Sequence, residues 1–399
     1  MTPKYEPFKF RYERFGGILQ LERPNALIYV DRDYMRDLGY PDSPLWDEDG
    51  SVLSVLSAPT EVHLALTKKC SAGCRMCYMD SAPDGAGDGE MGREGVFAAL
   101  ARLAKMRVFH LALGGGESTE LPWLFEVAHV ARGLGMIPNL TTNGFHITGE
   151  NAAEFAVFGQ VNISIDGVGD RYATHRGING FDRAFRALRA LKRKSVRTGI
   201  NCVVSRHNFE YLEEIFALGE DVGIQQLELL RYKPAGRAAD IDAFLAHDLD
   251  DDQAWRFFPK VMDLAKEYDT PLAIDCSLTP YLYCHNPDQE KLEFYGVTGC
   301  HGGNMLCGVG ADGAASACSF ASSENRTVFN IQDWWGREDT FFAFRKWVDA
   351  APQPCASCDF LKLCRGGCHV VSKHESGDIY APDPGCPKVR RYNADQAAV

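Results

Sequence analysis

Three closely spaced cysteines constrain this chain more than any other feature: Cys70, Cys74 and Cys77, in the spacing C-x3-C-x2-C. They directly follow an alternating apolar run at residues 62–66, which predicts that they lie on the loop after a strand. Three thiolates on one loop can bind three irons of a cubane iron–sulfur cluster and leave the fourth iron without a protein ligand. A metal with such an open position can bind a small molecule and react with it. The spacing alone leaves open a zinc site or a set of buried thiols.

The overall composition narrows the class of protein. With 399 residues, 45% of them hydrophobic and 24% charged, the chain resembles a folded soluble protein of two or three domains. Its net charge of −12 argues against bulk nucleic-acid binding, which depends on neutralising phosphates. No apolar run approaches the roughly 20 residues that span a bilayer, and the first residues lack the apolar segment of a signal peptide. We therefore expect a cytoplasmic protein that binds neither nucleic acid nor membranes.

Strand and helix patterns alternate between residues 58 and 275. The six strand candidates are 61–66, 107–113, 136–142, 160–166, 197–204 and 225–231, and helical patterns between them include 93–106, 181–194 and 208–221. Repeated strand–helix units predict a parallel sheet with helices outside. Six units are fewer than the eight of a complete barrel, so we predict an α/β fold with a partial (β/α)6 barrel. Ligands of such sheets bind at the carboxyl ends of the strands.

The segments on either side of the barrel are smaller. We divide the chain into an N-terminal β-α segment, the barrel, a bridge and a cysteine-rich C-terminal region, at residues 1–57, 58–275, 276–299 and 300–399. In the first segment, strand patterns at 15–21 and 26–30 precede a short helix. This segment is either a cap on the barrel or a module that docks a peptide by strand addition.

Fourteen cysteines are more than a cytosolic protein needs for packing, and disulfides are disfavoured in a reducing cytosol. Eight of them lie in the C-terminal region: Cys300, Cys307, Cys318, Cys355, Cys358, Cys364, Cys368 and Cys386. Eight thiolates match two four-iron clusters with four ligands each, and two zinc sites are the alternative. Cys202 lies within an apolar strand and is expected to be a packed core thiol. Cys276 and Cys284 lie at or near the junction between the barrel and the C-terminal region.

Together these motifs resemble the radical S-adenosylmethionine (radical SAM) superfamily, with a C-terminal SPASM domain of the kind found in peptide- and protein-modifying enzymes. The resemblance covers roughly residues 58–390. In that family the open iron chelates S-adenosylmethionine, and an electron from the cluster cleaves this cofactor to a 5′-deoxyadenosyl radical. One departure is Met76, because the residue before the third cysteine is usually aromatic. Methionine is apolar and adaptable, so we expect it to pack against the adenine or the cluster.

The resemblance implies which residues contact S-adenosylmethionine. Gly115, Gly116 and Glu117 resemble the motif that receives the methionyl amine, and consecutive glycines let the backbone approach a ligand closely. Arg176 resembles the arginine that pairs with the methionyl carboxylate, with Arg171 as the alternative. The other expected contacts are Asn143, Ser164 and Asp166, of which the last two would bind the ribose hydroxyls, and Leu230, which would pack near the adenosyl group. The alternative for each polar position is a surface turn with solvated side chains.

The resemblance also implies three [4Fe–4S] clusters. The three loop cysteines would hold the first. The two auxiliary clusters would be held by Cys300, Cys307, Cys318 and Cys368, and by Cys355, Cys358, Cys364 and Cys386.

By analogy with this family, we expect an enzyme that abstracts hydrogen from a peptide or protein and leaves a crosslink, an oxidation or a remodelled backbone. Its partners would be a leader-containing peptide, a flavodoxin or ferredoxin reductant and, as a further candidate, a separate peptide-recognition protein. Sulfatase maturation is disfavoured, because Ser319 follows Cys318 where those enzymes tend to carry an acidic base. The alternatives are action on a small molecule or cofactor precursor, an iron–sulfur electron carrier, and a zinc-binding interaction protein.

The sequence does not identify the catalytic residue. A thiol beside the active site could donate a hydrogen atom to a substrate radical, which makes Cys276 and Cys284 candidates. Tyr232 is a third candidate. The alternative for the two cysteines is a free thiol without a catalytic role.

Overall fold

The computed structural model describes residues 9–22, 25–47, 50, 55–85, 87 and 89–398. Within these residues the strands form two sheets, one of three strands and one of ten. The strands are β1 (Lys9–Glu13), β2 (Gly16–Glu22), β3 (Asn25–Asp31), β4 (Glu61–Thr67), β5 (His110–Gly115), β6 (Ile137–Thr142), β7 (Val161–Ser164), β8 (Thr198–Val204), β9 (Gln226–Arg231), β10 (Leu272–Ile274), β11 (Leu306–Val309), β12 (Ala314–Ser316) and β13 (Arg326–Thr327).

The helices of the barrel connect its strands, and shorter helices follow in the C-terminal region. They are α1 (Arg32–Asp37), α2 (Gly92–Lys105), α3 (Leu124–Gly133), α4 (Asp170–Arg176), α5 (Phe181–Arg193), α6 (Leu212–Val222), α7 (Ile241–His247), α8 (Asp251–Glu267), α9 (Thr279–Tyr283), α10 (Gln289–Phe294), α11 (Ile331–Trp334), α12 (Phe342–Arg345), α13 (Leu361–Cys364), α14 (His369–Ser376) and α15 (Pro387–Ala397). In the part of the chain that the structure describes, no helix has both the length and the apolar character needed to cross a membrane.

Seven parallel strands form the main part of the larger sheet, in the order β10-β9-β8-β7-β6-β5-β4. The six from β4 to β9 are the strands that the sequence predicts, and α2, α3, α5 and α6 lie between them in the chain. The predicted α/β fold with a partial barrel is therefore confirmed. The short strand β10 lies beyond the sixth strand and extends the barrel at that edge.

Alternation along β4 separates the packed face of the sheet from its interior face. Val62, Leu64 and Leu66 are at most 1% exposed and belong to the main apolar core, as do buried residues of α2. Glu61 and His63 alternate with them and face a cavity inside the barrel. The interiors of complete barrels are filled by side chains, whereas this partial barrel encloses an open space.

The C-terminal region supplies further strands of the same sheet, an addition that the sequence patterns do not predict. Strand β11 pairs in parallel with β4, with Cys307 opposite Val62. Strands β12 and β13 continue the sheet as an antiparallel extension. The cysteine-rich region is therefore joined to the barrel by backbone pairing at one edge.

The three-stranded N-terminal sheet has the order β1-β2-β3 and is followed by α1. The sequence predicts β2, β3 and α1 but misses β1. Strand β1 lacks the alternation of apolar and polar residues that marks a strand, because two of its buried side chains are charged. Arg11 and Glu13 form an ion pair of 2.7 Å, and their side chains are at most 5% exposed. Residues 23 and 24, between β2 and β3, lie outside the described residues.

This small sheet lies at the amino end of the barrel strands. Arg11 donates hydrogen bonds to the carbonyl oxygens of Ala58 (2.7 Å) and Pro59 (2.9 Å), just before β4. Gln20 donates to the carbonyl oxygen of Phe109, just before β5. The cysteine loop follows the opposite, carboxyl end of β4, so the N-terminal sheet and the loop are on opposite sides of the barrel.

A buried ion-pair network joins the other edge of the barrel to the C-terminal region. Arg231, at the end of β9, lies 2.6 Å from Asp383 and 3.4 Å from Asp248. The Asp383 carboxylate also accepts hydrogen bonds from the backbone N–H groups of Cys368 (2.8 Å) and Gly385 (2.9 Å). Because the Arg231 and Asp383 side chains are each 1% exposed, their charges depend on each other for compensation.

Candidate active site

The cysteine loop starts just beyond β4 and is fixed mainly through its backbone. The N–H of Cys70 donates to the carbonyl oxygen of Ala82 (2.9 Å). The guanidinium of Arg237, in the segment after β9, donates twice to the carbonyl oxygen of Cys74 (2.8 and 2.9 Å) and once to that of Ser81 (2.9 Å). The segment after β9, which is distant in the sequence, therefore fixes the shape of the cysteine loop.

The thiols of this loop are half-buried and accept backbone hydrogen bonds. The Sγ of Cys70 accepts from the N–H of Ala72, and the Sγ of Cys77 accepts from the N–H of Ser81, each at 3.4 Å. Burial raises the pKa of the Cys70 thiol to about 11. Metal binding at this loop must therefore release protons, because the ligand is the thiolate.

A cation lies next to the central thiol. Arg176, at the end of α4, places Nη1 3.8 Å from the Sγ of Cys74 and Nε 2.7 Å from Oδ2 of Asp166. Asp166 is fully buried, and its other oxygen accepts the N–H of Val203 (2.8 Å). The carboxylate therefore orients the guanidinium toward the cysteine loop. The alternative cation, Arg171, pairs with Glu214 (3.1 Å) and belongs to the first turns of the same helix.

The glycines after β5 bring that strand against the cysteine loop. A Cβ on Gly116 would lie 2.0 Å from the carbonyl oxygen of Lys69, and one on Gly115, which has a φ of +112°, would lie 2.5 Å from that of Thr67. The next residue, Glu117, is 2% exposed. Its carboxylate accepts hydrogen bonds from the Thr142 hydroxyl (2.6 Å) and the Asn143 N–H (2.9 Å). These contacts tie the ends of β4, β5 and β6 together.

A cavity of about 840 Å³ fills the interior of the barrel and reaches the C-terminal cysteines. Gly114, Gly115 and Leu230 line it at the carboxyl ends of the strands. Further inside, the barrel wall is polar, with Glu61, His63, His110, Asn139, Asn162, Asn201, Gln226 and Glu228. On the remaining side are Cys276 and three of the C-terminal cysteines, Cys300, Cys318 and Cys368. The cavity thus connects the strand ends beside the cysteine loop with one part of the C-terminal region.

The structure brings the C-terminal cysteines together in two groups. The inner group consists of Cys300, Cys307, Cys318 and Cys368. Burial and the neighbouring Cys318 and Cys368 raise the pKa of the Cys300 thiol to about 12. Burial raises the pKa of the Cys307 thiol to about 12, and Cys318 is again a neighbour. The outer group consists of Cys355, Cys358, Cys364 and Cys386. Burial and the nearby Cys386 and Cys358 raise the pKa of the Cys355 thiol to about 12. Cys364 has all three other thiols of this group as neighbours. This division is the one that the resemblance implies.

Comparisons with known proteins agree with this geometry. The family model described as "Radical SAM superfamily" matches residues 64–219. Mycofactocin maturase MftC of Mycolicibacterium smegmatis is 30% identical over 350 residues, which are 83% of each chain. This chain belongs to the radical SAM superfamily. An AdoMet-dependent heme synthase of Oleidesulfovibrio alaskensis is 26% identical over 358 residues, 85% of this chain and 88% of that protein.

Solved structures share the fold at lower sequence identity. SuiB of Streptococcus suis bound to S-adenosylmethionine superposes with a TM-score of 0.73 and 19% identity, over 96% of this chain and 99% of that one. The protein anSMEcpe with bound AdoMet and a peptide superposes with a TM-score of 0.62 and 19% identity, over 85% and 97% of the two chains. Because the fold extends across nearly the whole chain in SuiB, the N-terminal sheet and the cysteine-rich region belong to the shared architecture.

As a radical SAM enzyme, the chain uses S-adenosylmethionine and a [4Fe–4S] cluster, and its residues fit both. The cysteine loop provides three thiol donors, two of which accept backbone N–H groups as cluster-bound sulfurs do. Arg176 adds a guanidinium suited to a carboxylate. Among the described residues, no three His, Cys, Asp or Glu side chains form a group suited to a single metal ion. The thiolates of a cubane cluster bind different irons, so they need not converge on one point.

The other residues expected to contact the cofactor surround the loop in different ways. Ser164 is half-buried at the carboxyl end of β7. Asn143 is 7% exposed, and its Oδ1 accepts the N–H of Phe145 (2.8 Å). Both carboxylate oxygens of Asp166 have protein partners, so its place in the structure is beside Arg176. Met76 packs with the apolar cluster that contains Tyr232.

The three catalytic candidates lie in different surroundings. Cys276 lines the cavity, and burial and the charge of Asp275 raise the pKa of its thiol well above the usual range. Cys284 is buried next to Cys386 of the outer group and donates to the carbonyl oxygen of Tyr281 (3.3 Å). Tyr232 is 3% exposed and stacks on His247, with ring centroids 5.1 Å apart. Of the three, Cys276 alone lines the cavity.

Sequence reasoning misses several contacts of cavity residues that only the folded chain brings together. Lys233 forms a buried ion pair with Asp275, and its ammonium lies 4.4 Å from the ring centroid of Phe320. The hydroxyl of Ser319 lies 2.8 Å from Nδ1 of His63. The single sequence signal for Lys233 is its place directly after the sixth strand. His63 and Ser319 are 256 positions apart, so no local sequence pattern predicts their contact.

Proposed function

We propose that this radical SAM enzyme is a peptide maturase, which removes a hydrogen atom from a peptide or protein substrate and leaves a post-translational modification. The observation that carries the proposal is the cavity, which extends from the strand ends beside the cysteine loop to the inner group. A volume of about 840 Å³ accommodates a peptide segment with its side chains. Two similar proteins support this substrate class: the relative named mycofactocin maturase, and SuiB, whose structure is solved with the precursor peptide SuiA bound.

The cavity offers polar contacts for such a substrate. Nε2 of His110 and Oδ1 of Asn139 are buried and lack a hydrogen-bond partner within the described chain. Buried polar atoms usually have partners, so these two atoms are suited to a bound polar group such as a backbone amide. The N-terminal sheet offers a second place for a peptide, because an extended segment can add to an edge strand of a small sheet, and within the described residues β3 pairs only with β2.

In this proposal, different residues around the cysteine loop bind different parts of S-adenosylmethionine and the cluster. When bound, S-adenosylmethionine and the cluster supply the adenosyl radical that removes the substrate hydrogen. In this proposal Cys70, Cys74 and Cys77 hold the cluster, and Arg176 binds the methionyl carboxylate in the orientation set by Asp166. Glu117 receives the methionyl amine, and the glycines before it permit the close approach. The remaining contacts come from Asn143, Ser164 and Leu230.

We also propose that the inner and outer groups each hold an auxiliary [4Fe–4S] cluster, which gives three clusters in all. The four regions would then be an N-terminal sheet (1–57), the radical SAM barrel (58–275), a bridge (276–299) and a SPASM domain (300–399). In this proposal the inner group contacts the substrate, because it borders the cavity and the outer group does not. Iron analysis after anaerobic reconstitution should find about twelve irons per chain; about four would leave the loop cluster alone.

A hydroxyl–imidazole–carboxylate chain reaches the cavity and is suited to accept a proton from the substrate. Ser319 is bonded to His63 (2.8 Å), whose Nε2 lies 2.8 Å from Oε1 of Glu61. In general base catalysis the acceptor needs hydrogen-bond reach to the proton that it takes, and all three residues line the cavity. We assign this role to Ser319 and His63, in place of the acidic residue that sulfatase-maturing enzymes tend to carry after this cysteine.

A peptide substrate is testable by isotope transfer. The probe is a synthetic precursor peptide encoded by a short reading frame beside this gene, with deuterium at the Cα and Cβ positions of its core residues. The reconstituted enzyme with dithionite should produce 5′-deoxyadenosine that contains deuterium, and the peptide mass should change by a defined amount. The contrary result is an unchanged peptide together with consumption of a porphyrin precursor. That result would favour the small-molecule class suggested by the heme synthase relative.

A further inference from the structure

The outer face of α5 carries a row of exposed cations on an acidic protein. Residues 181–197 contain seven basic residues and one acidic residue, whereas the whole chain has a net charge of −12. Arg183, Arg186, Arg189 and Arg193 are all exposed. The opposite face of the helix, which includes Leu188, packs into the barrel core. The apolar packing of α5 therefore accounts for its inner face but not for the row of positive charges on its outer face.

These four arginines line one side of a groove of about 510 Å³. The other side is the loop after β6, which contributes Phe145, Ile147, Thr148 and Gly149. The guanidinium of Arg183 lies 3.8 Å from the ring centroid of Phe145. In the part of the chain that the structure describes, no carboxylate forms an ion pair with any of the four arginines. The groove thus presents uncompensated positive charge around an aromatic surface.

Two contacts, through Glu120 and His146, link the same groove to the cysteine loop. The carboxylate of Glu120 accepts hydrogen bonds from the N–H (2.9 Å) and the hydroxyl (2.6 Å) of Ser71, the residue after Cys70. Nε2 of His146, next to Phe145, lies 3.6 Å from the same carboxylate. On the other side, the N–H of Arg75 donates to the carbonyl oxygen of Arg176, the last residue of α4, the helix before α5 (2.8 Å). None of the groove residues lines the central cavity.

We propose that this groove docks the acidic electron-carrier protein that reduces the loop cluster, a reduced flavodoxin. The inference rests on the proposed function, since the enzyme needs one electron for each cofactor cleaved. One electron leaves the reduced flavin, which is oxidised by one electron, and enters the cluster held by the loop cysteines; no atom is transferred. Positive charge attracts and orients an acidic partner, and the position outside the cavity leaves the substrate path free.

Binding and reduction test this docking surface separately. The first readout is the affinity of a purified acidic flavodoxin, which is the probe, for the reconstituted enzyme. Charge reversal in R183E/R186E should weaken flavodoxin binding at low salt by about tenfold or more and flatten the salt dependence of the affinity. The matched control is R102E/K105E on α2, which changes the net charge equally at exposed positions and should bind nearly as the parent does.

The second readout is 5′-deoxyadenosine formation with two reductants. With reduced flavodoxin the R183E/R186E variant should be about tenfold slower than the parent, whereas with dithionite the two should be equal. Equal flavodoxin affinity in both variants would overturn the proposal, and so would an equal loss with dithionite, which would place the arginines in the fold or the catalytic site. Weaker binding of the precursor peptide with unchanged flavodoxin binding would assign the groove to the peptide. A parent enzyme inactive even with dithionite would count against the proposed function and leave the binding result valid.

Discussion

The cysteine loop and the inner group present thiols in opposite ways. The loop collects Cys70, Cys74 and Cys77 from eight consecutive residues, and all three remain half-buried. The inner group collects its thiols from residues 300 to 368, and two of them, Cys307 and Cys368, are buried. A local motif thus forms the first site, whereas the fold must be complete before the second site exists.

The difference extends to what holds each site in place. The loop is fixed by backbone hydrogen bonds and by Arg237, which donates to the carbonyl oxygen of Cys74. In the inner group, Cys307 lies on β11 at the edge of the barrel sheet, and the N–H of Cys368 donates to Asp383. The inner group therefore depends on long-range contacts between the barrel and the C-terminal region, which should make it the more fragile of the two.

The largest expected effect comes from removing one thiol at each site. Cys74→Ala should reduce 5′-deoxyadenosine formation with dithionite to background, because the cluster that cleaves the cofactor loses a ligand. Cys318→Ala should retain this uncoupled cleavage but lose peptide modification, because its site lies on the substrate side of the cavity. Chromatography of 5′-deoxyadenosine and mass spectrometry of the peptide separate the two activities. A Cys74→Ala enzyme as active as the parent would refute the assignment of the loop.

The second prediction tests the fragility of the inner group. Asp383→Asn removes the main carboxylate partner of the buried Arg231, and breaking such a pair costs about 3–5 kcal/mol in the free energy of unfolding. Denaturant unfolding of the metal-free chain should show this loss, and iron analysis should find fewer irons while 5′-deoxyadenosine formation persists. Asp263→Asn, in an exposed pair with Lys266 on α8, is the control and should change neither quantity. Full iron content in Asp383→Asn would mean that the inner group does not depend on this network.

The same contrast explains how much of each site can be predicted from the sequence. The loop and the six barrel strands follow from local spacing and periodicity, which is why both were predictable. The pairing of β11 with β4 and the contact between Ser319 and His63 depend on residues about 250 positions apart, and no periodicity encodes such pairs. Strand β1 was missed for another reason, since the ion pair between Arg11 and Glu13 allows charged residues in a buried strand.

The third prediction uses a pH titration of Glu228 to measure how dry the cavity is that the inner group borders. Burial, together with the charges of Asp275 and Glu61, raises the pKa of Glu228 from 4.5 to about 7. As the pH rises from about 4.5 to 7, the unfolded chain ionises this carboxyl while the folded chain keeps it protonated. The parent should therefore lose about 2–3 kcal/mol of stability relative to Glu228→Gln over this range.

Unfolding of both metal-free proteins at several pH values provides the measurement. From about one pH unit below 4.5 downward, the difference in the free energy of unfolding between parent and variant should be constant, because both states of the parent then hold the proton. Parallel curves from pH 4.5 to 7 would show that the cavity is well hydrated. In that case the contrast in burial between the loop and the inner group would be smaller than the structure indicates.

The smallest expected effect concerns the cation beside the loop, and it distinguishes two arginines on one helix. Arg176→Lys keeps the charge but loses the planar fork that contacts both Cys74 and Asp166, so binding of S-adenosylmethionine should weaken by about tenfold. Arg171→Lys is the matched control, because this arginine is held by Glu214 and should leave the affinity unchanged. Equilibrium binding of S-adenosylmethionine to the oxidised, cluster-loaded enzyme measures both variants without turnover. If Arg171→Lys weakened binding more than Arg176→Lys, the carboxylate contact would belong to the other end of α4, and Asp166 would orient a cation that the cofactor does not use.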